Sequence, residues 1–107
     1  MNRLLLGALC LAGQAAAGEV PRAADPVDAP ALERLVRQDC GSCHGLTLKG
    51  GLGPDIRTRA LAKYDHESLA EVILDGIPGT AMPPWRPLLS PAEVDWIVTY
   101  LLTGDTE

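Results

Sequence analysis

Three stretches of the chain place apolar residues three and four positions apart, the spacing that gathers side chains on one face of an α-helix. In chain order, these positions are Leu32, Leu35 and Val36; Leu69, Val72 and Ile73; and Val94, Ile97, Val98 and Leu101. The sequence shows no alternating pattern of a β-strand and no internal repeat. It therefore predicts an all-α domain with three main helices.

Each predicted helix has a local start signal. Asp28 is a suitable N-cap for the first helix, because its side chain can accept a backbone N–H of the first turn. The second helix is expected to begin near Asp65 and to end at Gly76. The third begins with Ser-Pro-Ala-Glu at 90–93, a capping box with proline at the first helical position, and ends at Gly104.

Two stretches between the helices lack helical periodicity. Residues 45 to about 64 are rich in glycine and predict a long loop, which is usually functional when it is ordered. Residues 77–89 contain four prolines and predict a second irregular segment. The first loop starts with Gly45, which suits the position where a helix stops.

The N-terminus has the pattern of a cleavable export signal. A positive residue in 1–3 precedes an apolar run at 4–11, and the alanines at 15–17 offer a cleavage site. The apolar run is too short to span a bilayer, which takes about 20 residues, so an uncleaved anchor is less favoured. A lipoprotein signal is also less favoured, because Leu9 precedes Cys10 where a small residue would be expected.

This pattern defines the expected domain organisation. Residues 1–17 are predicted to be a signal peptide, residues 18–28 a flexible lead-in, and residues 29–107 the folded domain. The mature protein is expected in the periplasm, with no membrane span after the signal is cleaved.

The clearest chemical motif of the chain is Cys40-Gly-Ser-Cys43-His44, at the end of the first predicted helix. Two cysteines three positions apart, followed directly by histidine, are typical of a covalent attachment site for c-type haem. Each thiol can add to a porphyrin vinyl group, and the histidine is placed to bind the iron. The pattern therefore predicts one covalently attached haem c.

Two alternatives for the cysteine pair are less favoured. A redox-active dithiol normally lies near a βαβ pattern, which this chain lacks. A zinc site needs four protein ligands, or three and a water. Beyond the pentapeptide the only other imidazole is that of His66, and the only other thiol is that of Cys10, which lies in the predicted leader.

A second iron ligand is expected from the proline-rich segment. Once Met1 leaves with the signal, Met82 is the only methionine, and it lies between Gly79 and two prolines. Rigid flanking prolines lower the entropy lost in fixing such a ligand. The alternatives are that Met82 fills the core, since methionine packs adaptably, or that His66 is the ligand. The polar run around His66 favours a surface position.

Composition and charge limit the classes of function. The chain has no Phe, two Trp and two Tyr, which is little aromatic material for a core, so a bound macrocycle is expected to complete it. The net charge is −5, and one unit more negative once Arg3 leaves with the leader. The absence of a basic stripe argues against nucleic-acid binding. The acidity favours docking on a basic or mixed surface, or serves solubility alone.

These motifs, taken in order, resemble class I monohaem cytochromes c of bacterial type. The resemblance covers about residues 29–104 and rests on Cys-x-x-Cys-His, Gly-Pro-Asp at 53–55, Met-Pro at 82–83 and the capped last helix. More narrowly, Asp-Gly-Ile-Pro-Gly-Thr-Ala-Met-Pro-Pro-Trp-Arg-Pro at 75–87 resembles cytochrome c55X. That small periplasmic family is associated with the cytochrome cd1 nitrite reductase system of denitrifying bacteria.

The resemblance implies a small class I cytochrome c fold, with three main helices around one covalently bound haem. It implies that Cys40 and Cys43 form thioether bonds and that His44 and Met82 are the axial ligands. The carbonyl of Pro54 would accept the proton of the histidine ring. It also suggests that Trp85 and Arg86 reach a haem propionate, with simple packing as the alternative for the tryptophan.

The implied activity is one-electron transfer by a monomeric carrier, because an iron with two protein ligands leaves no position for a substrate. The expected partners are redox proteins, among them cytochrome cd1 nitrite reductase. Three alternatives stay open. The protein is a general shuttle to another terminal reductase or oxidase, an accessory in haem maturation, or a site where a labile Met82 admits a small ligand such as nitric oxide.

Overall fold

A computed structural model of the chain describes Gly13, residues 26–104 and Thr106. Within these residues the secondary structure is helical and contains no strand, which confirms the predicted all-α class. The predicted signal peptide, apart from Gly13, and most of the lead-in lie outside the described residues. None of the helices found there is both long and apolar enough to cross a membrane.

The N-terminal arm is a continuous run of three helical pieces. It consists of α1 (Ala29–Leu35), a π-helical segment (Val36–Cys40) and α2 (Gly41–His44). The side chain of Asp28 caps α1, as predicted. Sequence periodicity did not indicate the π-helical segment, and such wide turns are frequent at functional sites. The arm ends where Gly45 takes a φ of 89°, a conformation that favours glycine.

The other two main helices begin and end at the predicted signals. Helix α4 (His66–Asp75) is capped by the side chain of Asp65 and stops at Gly76, whose φ is 68°. Helix α5 (Pro91–Thr103) begins with a capping box in which both reciprocal hydrogen bonds are present. These local signals predicted the boundaries because each one satisfies orphan backbone groups at a helix end.

One short helix, α3 (Thr58–Leu61), lies where the sequence predicted only loop. A single turn is unstable alone, so tertiary contacts must stabilise it. The hydroxyl of Thr58 lies 2.8 Å from the carbonyl oxygen of Leu101 near the end of α5, and the side chain of Leu61 is buried. The loop prediction was wrong for these four residues because their contacts are distant in sequence.

Helix α5 is the centre of the core, since α1, α3 and α4 all pack against it. Among the described residues, eleven buried apolar side chains form this core: Leu32, Val36, Leu48, Ile56, Leu61, Leu74, Leu89, Val94, Ile97, Val98 and Leu101. The predicted apolar face of α4 behaves differently, because Leu69, Val72 and Ile73 are only partly buried. That face borders a cavity instead.

Candidate functional site

All five residues predicted to hold the haem line one cavity. Its volume is about 780 Å³, and its lining includes Cys40, Cys43, His44, Pro54 and Met82. Cofactor sites typically enclose about 300–1,000 Å³. Segments more than 30 positions apart in sequence therefore converge on a space of cofactor size.

The walls of the cavity are apolar over most of their surface. Leu69, Val72 and Ile73 of α4 form part of the lining, and Ile56 and Leu101 also contribute. Such walls are costly to expose to water and are complementary to a flat apolar ring system. The residues present therefore fit a porphyrin.

The two cysteines lie at the end of the π-helical segment and in α2, both partly buried and not joined by a disulfide. Burial, with a smaller contribution from the Asp39 carboxylate, raises the pKa of the Cys40 thiol to about 11. A redox-active Cys-x-x-Cys instead lowers the pKa of its attacking thiol. The environment of Cys40 therefore does not favour the dithiol alternative.

The His44 ring is oriented by a hydrogen bond to the backbone. Its Nδ1 lies 2.7 Å from the carbonyl oxygen of Pro54. Because a carbonyl can only accept, Nδ1 carries the proton, and the neutral ring keeps a free lone pair on Nε2. This arrangement leaves Nε2 as the ring atom that could bind a metal.

Two backbone hydrogen bonds hold the loop against the pentapeptide. Gly50 N–H donates to His44 O at 2.7 Å, and Gly53 N–H donates to Cys43 O at 2.8 Å.

Gly53 is a functional position that the sequence reasoning gave no role. A Cβ placed there would lie 2.7 Å from Cε1 and 2.8 Å from Nδ1 of His44, closer than real carbon atoms approach. Only glycine leaves room for the imidazole at this point of the loop. The available signal was its position directly before Pro54.

The chain after Pro54 is fixed by a pair of opposite charges. Asp55 accepts hydrogen bonds from the side-chain Nη2 of Arg57 at 2.7 Å and from its backbone N–H at 2.9 Å. These bonds, the side-chain ones foremost, lower the pKa of Asp55 from its ordinary value of 3.8 to about 2. The pair stabilises the turn that directs the Pro54 carbonyl toward His44.

Acid is expected to remove the contribution of Asp55 to stability. The pKa of Asp55 is lower in the folded chain than its unfolded value of 3.8, so the ionised carboxylate stabilises the fold fully at pH values above 3.8. This contribution is lost as the pH falls toward 2. The difference in free energy of unfolding between wild type and Asp55→Asn should therefore shrink across that interval. Glu71→Gln, which removes an exposed carboxylate from α4, is the control. An NMR titration midpoint of Asp55 near 3.8 would contradict this assignment.

Met82 is partly buried and is held by its own backbone. Its carbonyl accepts from Ile77 N–H at 3.2 Å, and its N–H donates to Thr80 Oγ1 at 3.3 Å. A Cβ on Gly76 would lie 2.7 Å from the Met82 carbonyl oxygen. The end of α4 and the methionine segment therefore fit together only because residue 76 is glycine.

The remaining candidates lie apart from these five. Trp85 lines the cavity and packs against the core. Arg86 is outside the lining and is paired with Asp75, so its position does not support a role at a haem propionate. His66 is also outside the lining and contacts Asp95 at 3.2 Å, consistent with the predicted surface position. Asp39 is the one charged side chain among the described lining residues.

A helical capsule that brings Cys-x-x-Cys-His and a lone methionine to one apolar cavity is the architecture of a c-type cytochrome. Residues 27–101 match the protein-family model described as cytochrome c oxidase, cbb3-type, subunit III. The cofactor of this chain is accordingly haem c, covalently bound.

Three similar proteins define the family more narrowly. The chain is 56% identical to cytochrome c55X of Paracoccus denitrificans (strain Pd 1222), over the full length of both. A solved structure of the c-type cytochrome NirC is 46% identical, with a TM-score of 0.72 over 76% of this chain and 98% of that one. Dihydro-heme d1 dehydrogenase NirN in complex with DHE is 36% identical, with a TM-score of 0.64 over 70% of this chain and 16% of that one.

The chain belongs to the cytochrome c55X family. This confirms the resemblance seen in the segment at 75–87 and the expected cytochrome c fold. The relatives at 56% and 46% identity are both c-type cytochromes.

Proposed function

We propose that Cys40 and Cys43 would hold the haem through two thioether bonds and that His44 and Met82 would bind its iron. The observation that carries this proposal is that the pentapeptide, the loop with Pro54 and the segment with Met82 all line one apolar cavity. Pro54 supports His44, because its carbonyl fixes the ring orientation and makes Nε2 a stronger ligand.

The residues around the site favour electron transfer over substrate turnover. When bound, haem c supplies a one-electron iron couple. With His44 and Met82 as ligands, the chain offers no open position to a substrate, and the apolar walls keep water from the site. A thioether ligand favours the reduced state, so Met82 raises the reduction potential relative to a second histidine.

Electron exchange takes place at the mouth of the cavity, between the loop after Gly45 and the Met82 segment. Leu52 on the first side is 80% exposed, and Ile77 on the second is 44% exposed, although both line the cavity. Exposed apolar side chains beside a redox centre provide a desolvated contact for a partner. The docking partner is a redox protein with a basic or mixed surface, given the net charge of −5.

The protein is exported to the periplasm as a monomeric carrier of the nitrite reductase system. The N-terminal signal pattern supports export. The 56% identity to a cytochrome c55X across the whole chain supports the denitrification assignment. Cytochrome cd1 nitrite reductase is the proposed acceptor of its electron.

A role in cofactor maturation is the second candidate, favoured by the likeness to part of dihydro-heme d1 dehydrogenase. Two experiments separate the candidates. Stopped-flow mixing of the purified ferrous protein with oxidised cytochrome cd1 nitrite reductase should show rapid reoxidation if the protein is the donor. Deleting its gene should leave the reductase without its specialised haem if the protein acts in maturation. If neither occurs, both assignments are wrong.

Replacing Met82 with histidine is expected to keep the haem but lower its midpoint potential, because imidazole stabilises the ferric state more than a thioether does. A fall of about 59 mV or more would mean at least a tenfold change in the redox equilibrium. Leu88→His is the matched control, since this exposed side chain lies outside the cavity lining. An unchanged midpoint for Met82→His in a protein-film titration would show that Met82 is not a ligand.

A further inference from the structure

The segment that carries Met82 is closed at its base on the end of α4. Trp85 N–H donates to Ile73 O at 2.9 Å, and Arg86 N–H donates to Leu74 O at 3.0 Å. Carbonyls in the last turn of a helix have no partner within the helix. The returning chain supplies those partners, so the end of α4 and the end of the Met82 segment form one unit.

A side-chain pair reinforces the same junction. Arg86 Nε lies 2.8 Å from Asp75 Oδ1, and Arg86 Nη2 lies 2.8 Å from Asp75 Oδ2. Two parallel bonds between a guanidinium and a carboxylate fix the relative direction of both chains, which a single contact does not. The arginine cation also lies near a helix C-terminus, where positive charge is favoured.

The junction is mechanically connected to Met82. The carbonyl of Met82 is bonded to Ile77 N–H, the second residue beyond Asp75, and it lies directly against Gly76. The rigid rings of Pro83 and Pro84 connect Met82 to Trp85. Movement of the Arg86 backbone away from the end of α4 would therefore displace a segment with few adjustable torsions, and Met82 with it.

We propose that Asp75 and Arg86 are positioning residues that hold the Met82 thioether in place and so exclude exogenous ligands from the iron. The inference rests on the proposed ligand role of Met82. Both side chains are more than half exposed, and ion pairs of that kind contribute little individually. Breaking the pair is therefore expected to change the affinity of the iron for an added ligand about two- to fivefold, the order of magnitude that such pairs supply.

The test uses the purified holoprotein and imidazole as the competing ligand. Asp75→Asn, Arg86→Gln and the double variant should each bind imidazole to the ferric protein about two to five times more tightly than wild type. The double variant should be no worse than either single variant, because the pair acts as a unit. Arg86→Lys should recover only part of the wild-type behaviour, since lysine cannot form the two-bond fork.

Three further measurements complete the test. Arg34→Gln, which removes an exposed arginine from α1, should leave imidazole affinity unchanged. High salt should reduce the difference in imidazole affinity between wild type and Arg86→Gln, because salt screens the exposed ion pair in the wild type. Equal imidazole affinity in wild type and Arg86→Gln, with the sulfur-to-iron absorption band of methionine ligation intact in both, would overturn the positioning role. Absence of that band in the wild type would instead refute Met82 as a ligand, and the inference with it.

Discussion

A chain with both Cys40 and Cys43 replaced by serine is expected to carry no covalent haem and to show no cooperative thermal unfolding. The reason lies in the cavity of about 780 Å³, which is walled by apolar side chains. Without a macrocycle, those walls would face water or collapse, and a domain of this size has little other core to compensate. The wide cavity makes the loss far larger than that of a single buried side chain.

Mass spectrometry for the added porphyrin and calorimetry of the purified double variant would measure the two effects. Ser42→Ala is the matched control, because Ser42 lies between the two cysteines and its hydroxyl donates a local hydrogen bond to the Asp39 carbonyl. This control should keep both the haem and the transition. A sharp unfolding transition in the haem-free double variant would show that the polypeptide folds by its own packing.

The second large effect is expected for Gly53→Ala. The new methyl group would occupy space 2.7 Å from Cε1 of His44, so the ring or the loop must move. Movement of the ring breaks the 2.7 Å contact between Nδ1 and the Pro54 carbonyl. Overpacking of this kind typically costs about 1–3 kcal/mol, and the histidine would lose the group that orients it.

Chemical denaturation of the holoprotein and its midpoint potential would report these two consequences for Gly53→Ala. Gly41→Ala is the matched control. A Cβ there would meet its nearest neighbour at 3.5 Å, an ordinary contact, and the residue has a helical φ of −61°. Alanine is favoured over glycine in a helix, so this control should be neutral or stabilising. Equal stability and potential for the two variants would show that the His44 ring has room to spare.

The features that could be predicted from the sequence are those with local signals. Asp28, Asp65 and the capping box at 90–93 each satisfy backbone groups within one turn, so they mark helix starts without any knowledge of the tertiary structure. The haem pentapeptide is likewise a local motif. Met82 was identified because no other methionine remains after the leader, and its place in the cavity agrees with that reasoning.

The features that escaped prediction depend on partners far along the chain. Helix α3 forms because Thr58 and Leu61 contact the end of α5. Leu48 is fully buried with a φ of 61°, which the prediction of a glycine-rich loop did not indicate. The family resemblance suggested that Arg86 reaches a propionate, but the sequence does not show that the Asp75 carboxylate lies 2.8 Å from the guanidinium. No periodicity encodes such pairings.

The loop that orients His44 and the segment that carries Met82 are anchored on different supports. The loop that orients His44 is bonded to the carbonyls of the attachment helix, whereas residues 76–85 are bonded to the last turn of α4. The segment that carries Met82 can therefore be exchanged together with the end of α4. Exchanging residues 75–86 as a block among related proteins would vary the surroundings of Met82, the proposed iron ligand, and would leave residues 40–44 unchanged. Such exchanges offer a practical route to a graded series of redox potentials on one scaffold.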